Sequence, residues 1–413
     1  MSKAKPSTQR CCSCLGIFSS KASQPSGTRR MNPIFSGPAS DKVSKALKSS
    51  LGGGVGGDGR PLLEIVGGLG VGGWAYVLKA RHTETGNTCA LKVVDKAGLR
   101  EIRDRERLKM ELAVMAELPF SPFVQRCSLA FESPTHVYMA TELLAGGDLF
   151  SRLVTQVQAE EWGFGEDAAR VLLAETVSGL VHLHAHGFIH RDIKIENLML
   201  DSRGHVVLID LGLTRPIAPR ARGATVGPLG GVDEEQPLSP MGSLAYMAPE
   251  LLSSHVGGRC TDWWALGILA YELMTGQTPW ASGADKRALK KEIMATKVMP
   301  HRRLSPAAGM FICALLKRDP RERLGCEGDA QVKRHEFFKP VDWEACERQG
   351  LPPALGPVAP GAFRDPKGRD EAALEIHRKA AHCQPKPRGN EWYLGLDRAT
   401  QGPVEASTGS SSL

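Results

Sequence analysis

Three short segments that each contain charged residues among apolar ones occur in this order in the chain, and they constrain its fold more than any other feature. HRDIKIEN occupies residues 190–197, IDLG follows at 209–212, and MAPE at 247–250. Any one residue of these segments, taken alone, reads as a loop Asp or a capping Asn. The ordered set does not arise by chance. It predicts a single catalytic domain rather than a scatter of surface loops.

Carboxylate, cation and amide side chains in these segments suit one kind of chemistry. Phosphoryl transfer has a loose transition state, so a protein must mainly orient the acceptor hydroxyl and neutralise charge on oxygen. Asp192 is predicted to accept or orient the hydroxyl proton, and Lys194 to steady the transferred phosphate. Asn197 and Asp210 are predicted to hold Mg²⁺.

A glycine-rich segment upstream supplies a candidate phosphate-binding loop. Alone it reads more often as an ordinary turn between strands. Lys92 on the next strands is placed to pair with α- and β-phosphates, and Glu111 in the charged helical stretch beyond is placed to hold that lysine. Backbone N–H groups of the loop then hold phosphate oxygens. The loop residues are Leu69, Gly70, Val71, Gly72, Gly73, Trp74, Ala75, Tyr76 and Val77.

Composition divides the chain into a basic arm and a near-neutral remainder. Of 413 residues, the first 60 contain ten Lys/Arg against Asp41 and Asp58, a net charge of +8, which leaves −1 for the rest of the +7 total. We expect residues 1–61 to be a disordered basic arm, because they are too poor in apolar residues to form a core. The near-neutral remainder argues against a specific nucleic-acid-binding surface.

Periodicity predicts an α+β fold with two lobes. Residues 62–142 read as a small lobe of antiparallel strands with one long helix, and residues 146–338 as a larger, mainly helical lobe. Residues 403–413 read as a disordered tail. No apolar run reaches the length of a membrane span, so we expect a location in the cytoplasm or nucleus. The ten cysteines lack paired spacing and are expected to be reduced thiols rather than zinc ligands.

Residues 62–338 resemble a protein kinase catalytic domain throughout. Within that family they are similar to the AGC group, whose cyclic-nucleotide-dependent members have near-identical phrases to TGN at 85–87, LAGGDLF at 144–150 and DWWALG at 262–267. The resemblance implies a serine/threonine protein kinase that uses ATP and Mg²⁺, with ATP in the cleft of a two-lobed fold. It also implies that residues 339–402 are a partial form of the group's carboxyl-terminal extension.

The same resemblance assigns further residues. It places adenine between Val77, Ala90 and Met199, with hinge contacts from the backbones of Glu142 and Leu144. It also pairs Glu250 with Arg323, and lets Asp262 brace the catalytic loop from the helix below. Asp148, Glu196 and Glu272 occupy positions where members of the group that act on basic substrates carry arginine-binding acids.

Regulation and location follow from the same comparison and from the arm. Ser239 matches the group's activation-loop phosphosite, with Arg107, Arg191 and Arg215 as clamping cations. An upstream activating kinase or a regulatory subunit is therefore an expected partner. Three cysteines of the basic arm are candidate acylation sites for peripheral membrane attachment, against the alternative of an unmodified arm. They are Cys11, Cys12 and Cys14.

Two residues depart from the usual protein kinase pattern, and two other functions compete with that of a protein kinase. Ala75 replaces the third loop glycine, and Leu211 stands where phenylalanine is commoner after the metal-binding aspartate. A pseudokinase would keep the fold without catalysis, but its usual lost catalytic residue is not seen here. A kinase for small molecules tends to lack the Ala248-Pro249-Glu250 segment and the platform before it, residues 242–247, and both are present.

Overall fold

The computed structural model describes residues 63–71, 75–132, 135–217, 236–237, 242–281 and 285–356. The chain divides into two compact units. Within the described residues, the sheet unit comprises residues 63–120 and 125–145, and the helical unit comprises residues 121–124 and 146–356. An antiparallel sheet in one unit and helices in the other confirm the predicted α+β fold class.

The sheet unit is built on five antiparallel strands in the order β1-β2-β3-β5-β4. Tyr76, Leu78 and Ala80 of β2 are buried and alternate with more exposed residues, which is the period of two expected of a sheet with one face on the core. They pack against Leu91 and Val93 of the next strand. The strands are β1 (Leu63–Val71), β2 (Ala75–His82), β3 (Thr88–Asp95), β4 (Cys127–Glu132) and β5 (His136–Glu142).

Helix α1 (Ile102–Glu117) accompanies this sheet. Leu108, Glu111, Leu112 and Met115 are buried at the spacing i, i+3, i+4, i+7, so they form one stripe along the helix. Glu111 is the polar exception in that stripe. A buried carboxylate requires a charged or hydrogen-bonding partner, and the partner proves to be functional.

The helical unit surrounds one almost fully buried helix, α5 (Cys260–Thr275). Glu272 is the one residue of this helix that is partly exposed. A helix that is hydrophobic on all sides is expected at the centre of a large unit rather than at its surface. The helices are α2 (Leu149–Glu160), α3 (Glu166–Ala185), α4 (Pro249–Ser253), α5 (Cys260–Thr275), α6 (Lys286–Ala295), α7 (Pro306–Leu315), α8 (Ala330–Lys333) and α9 (Trp343–Glu347).

Short strands of the helical unit hold the segments that carry the polar motifs. The order β6-β8-β9 forms one small sheet, β7 pairs with β10, and β11 pairs with β12. Residues 190–197 therefore connect β7 to β8, and residues 209–214 connect β9 to β10. The strands are β6 (Gly147–Asp148), β7 (Phe188–Ile189), β8 (Leu198–Leu200), β9 (Val206–Leu208), β10 (Arg215–Pro216), β11 (Gln236–Pro237) and β12 (Val256–Gly257).

Residues 121–124 differ from the prediction, which placed all of 62–142 in the small lobe. They belong to the helical unit. The Leu208 amide donates to the Phe123 carbonyl over 2.8 Å, and Val124 forms a parallel bridge with Leu208. Gly179 of α3 makes room for this segment, since a Cβ there would lie 3.0 Å from the Phe123 oxygen. Hydrophobic periodicity does not reveal such a single-residue fit.

The start of the predicted extension packs onto the helical unit. Just before the extension, the rings of Phe337 and Phe338 both contact Phe311. Within it, the Trp343 ring contacts Phe338, and its indole N–H donates to the Lys333 carbonyl over 3.0 Å. Residues 339–356 are described, and the remainder of the predicted extension and tail lies outside the described residues.

Two cysteines contradict the expectation of reduced thiols. The structure pairs Cys260, the first residue of α5, with Cys326 as a disulfide, with a Cα–Cα distance of 5.2 Å and a sequence separation of 66. That spacing of the Cα atoms lies within the range of protein disulfides. Sequence spacing could not predict the pair, because only tertiary packing brings the two residues together. Among the described helices, none is long and apolar enough to cross a membrane.

Candidate active site

The described parts of the glycine-rich segment end β1 and begin β2, two antiparallel strands that pair with each other. Gly70 pairs with Val77, and Val71 pairs with Tyr76. Among the described residues, a Cβ added at Gly70 would meet nothing within 4 Å, so packing against them does not require glycine there. The approach of phosphate to this backbone stays a prediction. Leu69 and Ala75 also lie on these strands, whereas Gly72, Gly73 and Trp74 lie outside the described residues.

Lys92 and Glu111 form a close ion pair that joins β3 to α1. Lys92 Nζ of β3 lies 2.6 Å from Glu111 Oε1 of α1. The Glu111 side chain is almost fully buried, whereas that of Lys92 is one-quarter exposed, at 26%. The pair satisfies the buried carboxylate and leaves part of the ammonium accessible for a further anion.

The residues predicted to contact adenine are distributed over both units. Ala90 lies on β3, opposite Thr141 of β5, whose hydroxyl lies 3.5 Å from the Ala90 carbonyl. Glu142 ends β5 and is exposed, and Leu144 follows it and is buried. In the helical unit, Met199 of β8 is half-buried.

Asp192 is the centre of the polar contacts in the helical unit. Lys194 Nζ lies 2.6 Å from Asp192 Oδ2, and Asn197 Nδ2 donates to the same oxygen over 3.0 Å. Asn197 Nδ2 also donates to the Asp192 carbonyl over 2.8 Å. The Ser243 amide reaches the other carboxylate oxygen at 3.2 Å. The carboxylate is thus fixed in orientation by neighbours on two separate segments.

Asp262 holds the loop that presents Asp192. The amides of His190 and Arg191 donate to the two oxygens of this fully buried carboxylate over 2.8 and 2.7 Å. Burial acts to raise the pKa of Asp262, but hydrogen bonding and charge from His184 outweigh it and lower that pKa. Asp262 therefore stays ionised and accepts from both amides. The backbone of the catalytic loop is tied to α5 immediately before Asp192.

His184 is a member of this network that sequence reasoning missed. Its Nε2 lies 2.9 Å from Asp262, and its Nδ1 lies 3.4 Å from Asp329. Burial acts to lower the pKa of His184, but the two carboxylates raise it to about 9. The only signal in the sequence was one histidine among three in HLHAH, and spacing does not distinguish it from His182 and His186.

The chemistry of Asn197 and Asp210 suits a hard cation. Because Asn197 uses its Nδ2 toward Asp192, its Oδ1 is presented as an acceptor elsewhere. Asp210 is exposed, has a backbone φ of 63° and accepts from the Gly212 amide at 3.3 Å. The Ile209 amide donates to the Asn197 carbonyl over 3.0 Å, which joins the two segments. Oxygen ligands of this type fit Mg²⁺, which usually retains waters and phosphate oxygens as its other ligands.

The buried histidine and leucine beside these groups are structural. Burial lowers the pKa of His190, which favours the neutral imidazole. Leu211 is fully buried, so leucine fills the apolar position that follows Asp210.

Glu250 and Arg323 form a bidentate ion pair. The two contacts measure 2.6 and 3.0 Å. Arg323 also donates to the carbonyls of Cys260 and Lys317, and its guanidinium lies over the Trp264 ring. Because every donor direction is occupied, the buried charge is satisfied. The pair anchors the MAPE segment to the start of α5.

The three acids predicted to bind substrate arginines differ in their surroundings. Asp148 caps α2, and its two oxygens accept from the amide and hydroxyl of Ser151 over 2.7 and 2.9 Å. Glu196 is exposed. Glu272 accepts a short hydrogen bond from the Tyr246 hydroxyl. Burial raises the pKa of Glu272 to about 7, and the charge of Glu196 adds to that rise while the Tyr246 contact opposes it.

Two of the three predicted phosphate-clamping cations lie together. Arg191 donates to the Leu213 carbonyl at 3.4 Å, and Arg215 donates to the adjacent Thr214 carbonyl at 2.9 Å. Arg107 is on α1 of the sheet unit, and its Nε is buried without a hydrogen-bond partner among the described residues. Ser239, which they are predicted to clamp, lies outside the described residues.

Comparisons with known proteins agree with this geometry. Residues 63–338 match the model of the protein kinase domain. The chain is 35% identical over 299 residues to ribosomal protein S6 kinase alpha-1 of Homo sapiens, which covers 72% of this chain and 38% of that protein. It is 31% identical over 311 residues to a probable serine/threonine-protein kinase of Dictyostelium discoideum, covering 75% of this chain and 64% of that protein.

Ribosomal protein S6 kinase 2 alpha of Xenopus laevis is similar at 35% identity, again over 38% of its length. The chain therefore spans well under half the length of the S6 kinases that it matches. Similarity to S6 kinases agrees with the AGC resemblance of the sequence. The match over residues 63–338, together with the constellation around Asp192, shows that the chain belongs to the protein kinase domain family.

Proposed function

We propose that this protein transfers the γ-phosphate of ATP to serine or threonine hydroxyls of other proteins. The observation that carries the proposal is the Asp192 carboxylate, held by Lys194, Asn197 and the Ser243 amide on a loop that Asp262 fixes. A carboxylate beside a lysine is suited to receive an acceptor proton while charge on the transferred phosphate is neutralised.

Each unit contributes groups to this reaction. In the sheet unit, Lys92 holds phosphate oxygens of ATP, and Glu111 fixes the position of its ammonium group. In the helical unit, Asp192 orients the acceptor hydroxyl and takes up its proton, and Lys194 balances phosphate charge. Asn197 Oδ1 and the Asp210 carboxylate would hold Mg²⁺, which neutralises phosphate oxygens when bound. Positioning and electrostatics supply the catalysis.

The acceptor is proposed to be part of a protein rather than a small molecule. The MAPE segment and the platform before it are rigidly mounted, since Glu250 is paired with buried Arg323 and the Trp280 indole donates to the Ala245 carbonyl over 2.7 Å. A fixed platform of this kind suits a peptide. Measured transfer to a serine peptide, a tyrosine peptide and free sugars tests this. Transfer to the sugars alone would refute the proposal.

A preference for basic residues before the acceptor is proposed from Glu196 and Glu272. The electrostatic coupling between them indicates that the carboxylates are near each other, and Glu196 is exposed. Their mutual repulsion would be relieved by a substrate arginine. Asp148 is a weaker candidate, because Ser151 already occupies both of its oxygens. A peptide array without any preference for Arg or Lys would contradict this proposal.

Phosphorylation of Ser239 by an upstream kinase is proposed as the activating step. Arg191 and Arg215 support it, since both guanidinium groups lie against the backbone of residues 213–214. Cations already gathered near one point can bind a phosphate without further rearrangement. Ser239→Ala is expected to lower turnover, and unchanged turnover after incubation with an activating kinase would exclude the step.

Location in the cytoplasm or nucleus, with peripheral membrane attachment through acylated cysteines of the arm, is also proposed. One acyl chain or one basic segment alone gives marginal binding, whereas the two together suffice. Fractionation of wild type and a triple Cys→Ser variant tests the attachment, and identical distributions would refute it. The variant replaces Cys11, Cys12 and Cys14.

The alternative is a pseudokinase that acts as a scaffold. It would retain ATP binding without transfer. The intact Lys92–Glu111 and Asp192–Lys194 pairs favour catalysis. Detection of ATP binding together with absence of transfer, before and after incubation with an activating kinase, would favour the scaffold.

A further inference from the structure

Helix α6 and the segment after it carry an unusual excess of positive charge. Between residues 285 and 303 there are seven Lys/Arg and two acids, a net charge of 7 − 2 = +5. All seven cations are exposed. They are Lys286, Arg287, Lys290, Lys291, Lys297, Arg302 and Arg303.

The two acids of this stretch are engaged by backbone amides. Asp285 caps α6 and accepts from Arg287 and Ala288 over 2.9 and 3.2 Å. Glu292 accepts from the Ala281 amide over 2.9 Å. Among the described residues, none of the seven cations forms an ion pair. Surface cations of a folded protein are usually interspersed with acids, so an uncompensated group of this size indicates an anionic partner.

Exposed methionines lie among these cations. Met294, Met299 and Met310 are 37%, 66% and 54% exposed. Along α6, Lys286, Lys290 and Met294 follow one another at i, i+4, i+8, while Leu289 and Ile293 face the core. The cations and methionines thus share the solvent side of the helix. We call the seven cations and three methionines the basic methionine face.

The basic methionine face has a fixed backbone. Arg318 donates to the carbonyls of Ile293, Met294 and Thr296 over 2.8, 2.7 and 2.6 Å, which satisfies the end of α6. Pro300 lies close to Gly309 of α7, since a Cβ on that glycine would be 2.9 Å from the proline Cβ. Met299 precedes Pro300 and Met310 follows Gly309, so the two methionines flank this contact in the chain. The backbone that carries these groups at the end of α6 and at Pro300 is therefore fixed before any partner binds.

The composition of this face selects among anionic partners. Non-specific single-stranded nucleic-acid binding relies on accessible aromatic side chains for base stacking, whereas the exposed apolar residues of this face are methionines. The Trp162 ring is half-buried, and the Arg303 guanidinium lies over it at 4.9 Å. Protein interfaces concentrate their energy in buried Trp, Tyr and Arg anchors, whereas four of the seven cations of this face are lysines and its three arginines are exposed. Flexible unbranched side chains among lysines suit a surface whose headgroups and acyl chains can rearrange around them.

We propose that the basic methionine face binds the surface of an anionic membrane. Lysine and arginine side chains contact lipid headgroups, and the methionines enter the boundary between headgroups and acyl chains. The arm, with its net charge of +8 over residues 1–60, supplies a second basic segment. Two such contacts on one chain strengthen each other through effective concentration. The proposal does not depend on catalysis.

Sedimentation of the full-length chain with vesicles tests the proposal. The vesicles contain phosphatidylcholine alone, or phosphatidylcholine with phosphatidylserine. We expect binding only to the second kind, and binding that weakens with salt. A cation near an anionic surface contributes about fivefold in affinity. Lys290→Glu with Lys291→Glu is therefore expected to weaken binding by at least about tenfold. The arm is unchanged in that variant.

Lys339→Glu with Arg348→Glu is the matched control. It makes the same change in charge at exposed residues outside the face. We expect vesicle binding close to that of wild type. Vesicle binding that persists at high salt would come from the methionines, so Met294→Ser with Met299→Ser is expected to remove that part of the binding. Phosphorylation of a short soluble peptide, expected to be unaffected, shows that each variant is folded.

Three results would overturn the proposal. Equal vesicle binding by wild type and Lys290→Glu/Lys291→Glu would assign binding to the arm alone. An equal loss in the control variant would show that only net charge matters. If Lys290→Glu/Lys291→Glu lost binding to an acidic polypeptide or to heparin but kept vesicle binding, the face would be assigned to a macromolecular partner instead.

Discussion

Replacing Asp262 with asparagine removes the charge that fixes the catalytic loop while preserving the size of the side chain. In the wild-type protein, the carboxylate accepts from the His190 and Arg191 amides over 2.8 and 2.7 Å and contacts His184 at 2.9 Å. Asparagine has one acceptor oxygen, so one buried amide loses its acceptor, at about 1–3 kcal/mol. His184 also loses its nearer counter-charge. Together these effects predict about 3–5 kcal/mol of destabilisation.

The same substitution is expected to impair turnover, because Arg191 directly precedes Asp192. Displacement of a catalytic group by about 1 Å costs on the order of 10²-fold in rate. Asp329→Asn is the matched control, since Asp329 contacts His184 at 3.4 Å, whereas the His190 and Arg191 amides donate to Asp262. It is expected to cost about 1 kcal/mol, as for a weaker hydrogen bond, and to leave kcat near the wild-type value.

Urea denaturation followed by circular dichroism gives the stability of each variant, and peptide phosphorylation gives kcat. A decrease in the free energy of unfolding of less than about 1 kcal/mol for Asp262→Asn would refute the reasoning, since leaving a buried amide without its acceptor costs more than that. Equal losses of kcat in both variants would refute the proposed role of the loop contacts.

Three further predictions concern titration and packing near the catalytic loop. The folded-state pKa of His184 is raised to about 9. Its contribution to the free energy of unfolding is therefore complete below pH 6.5 and is lost as the pH rises to 9. Wild-type stability should therefore fall by up to about 3 kcal/mol over that range, as urea denaturation at several pH values would measure. Because the pKa of Glu272 is about 7, this carboxyl group is neutral below that pH, so KM for an arginine-containing peptide should rise several-fold between pH 8 and pH 6. Gly242→Ala should lower kcat by on the order of 10²-fold, since its φ is +107° and a Cβ would lie 2.8 Å from Asp192 Oδ1.

Each of these has a variant or substrate that isolates its cause. His184→Gln should remove the high-pH loss of stability, and an unchanged profile would exclude His184 as its source. A peptide with alanine in place of arginine should show no change of KM with pH, and Glu272→Gln should behave likewise toward the arginine peptide. For Gly242→Ala, urea denaturation should show a loss of about 1–3 kcal/mol from the strained backbone, with a folded baseline that accompanies the loss of kcat. Full activity would contradict the observed contact with Asp192.

The contacts among the predicted catalytic groups could be anticipated because most of these groups lie in one short contiguous motif. Asp192, Lys194 and Asn197 are within six residues, and backbone geometry brings such near neighbours together whatever the rest of the fold does. Lys92 and Glu111 are 19 residues apart, yet a strand and the following helix pair them as expected. Local sequence was sufficient for these contacts.

Longer-range contacts were not predictable from periodicity. The association of residues 121–124 with the helical unit depends on the fit of Phe123 at Gly179, and the approach of Cys326 to Cys260 depends on packing around α5. The network of His184 with Asp329 spans 145 residues of sequence. In each case the decisive term is side-chain fit between distant segments, which a pattern of apolar and polar residues does not contain.

Phosphate transfer by Asp192→Asn, measured beside wild type and Lys92→Met, tests the central claim most directly. Purified protein is incubated with Mg²⁺, labelled ATP and an arginine-containing serine peptide, and ATP binding is followed separately by thermal shift. We predict transfer to serine by the wild type, a loss of about 10²–10⁴-fold in Asp192→Asn with ATP binding retained, and loss of transfer in Lys92→Met. Undiminished transfer by Asp192→Asn would contradict the account, because the proton acceptor would then lie elsewhere.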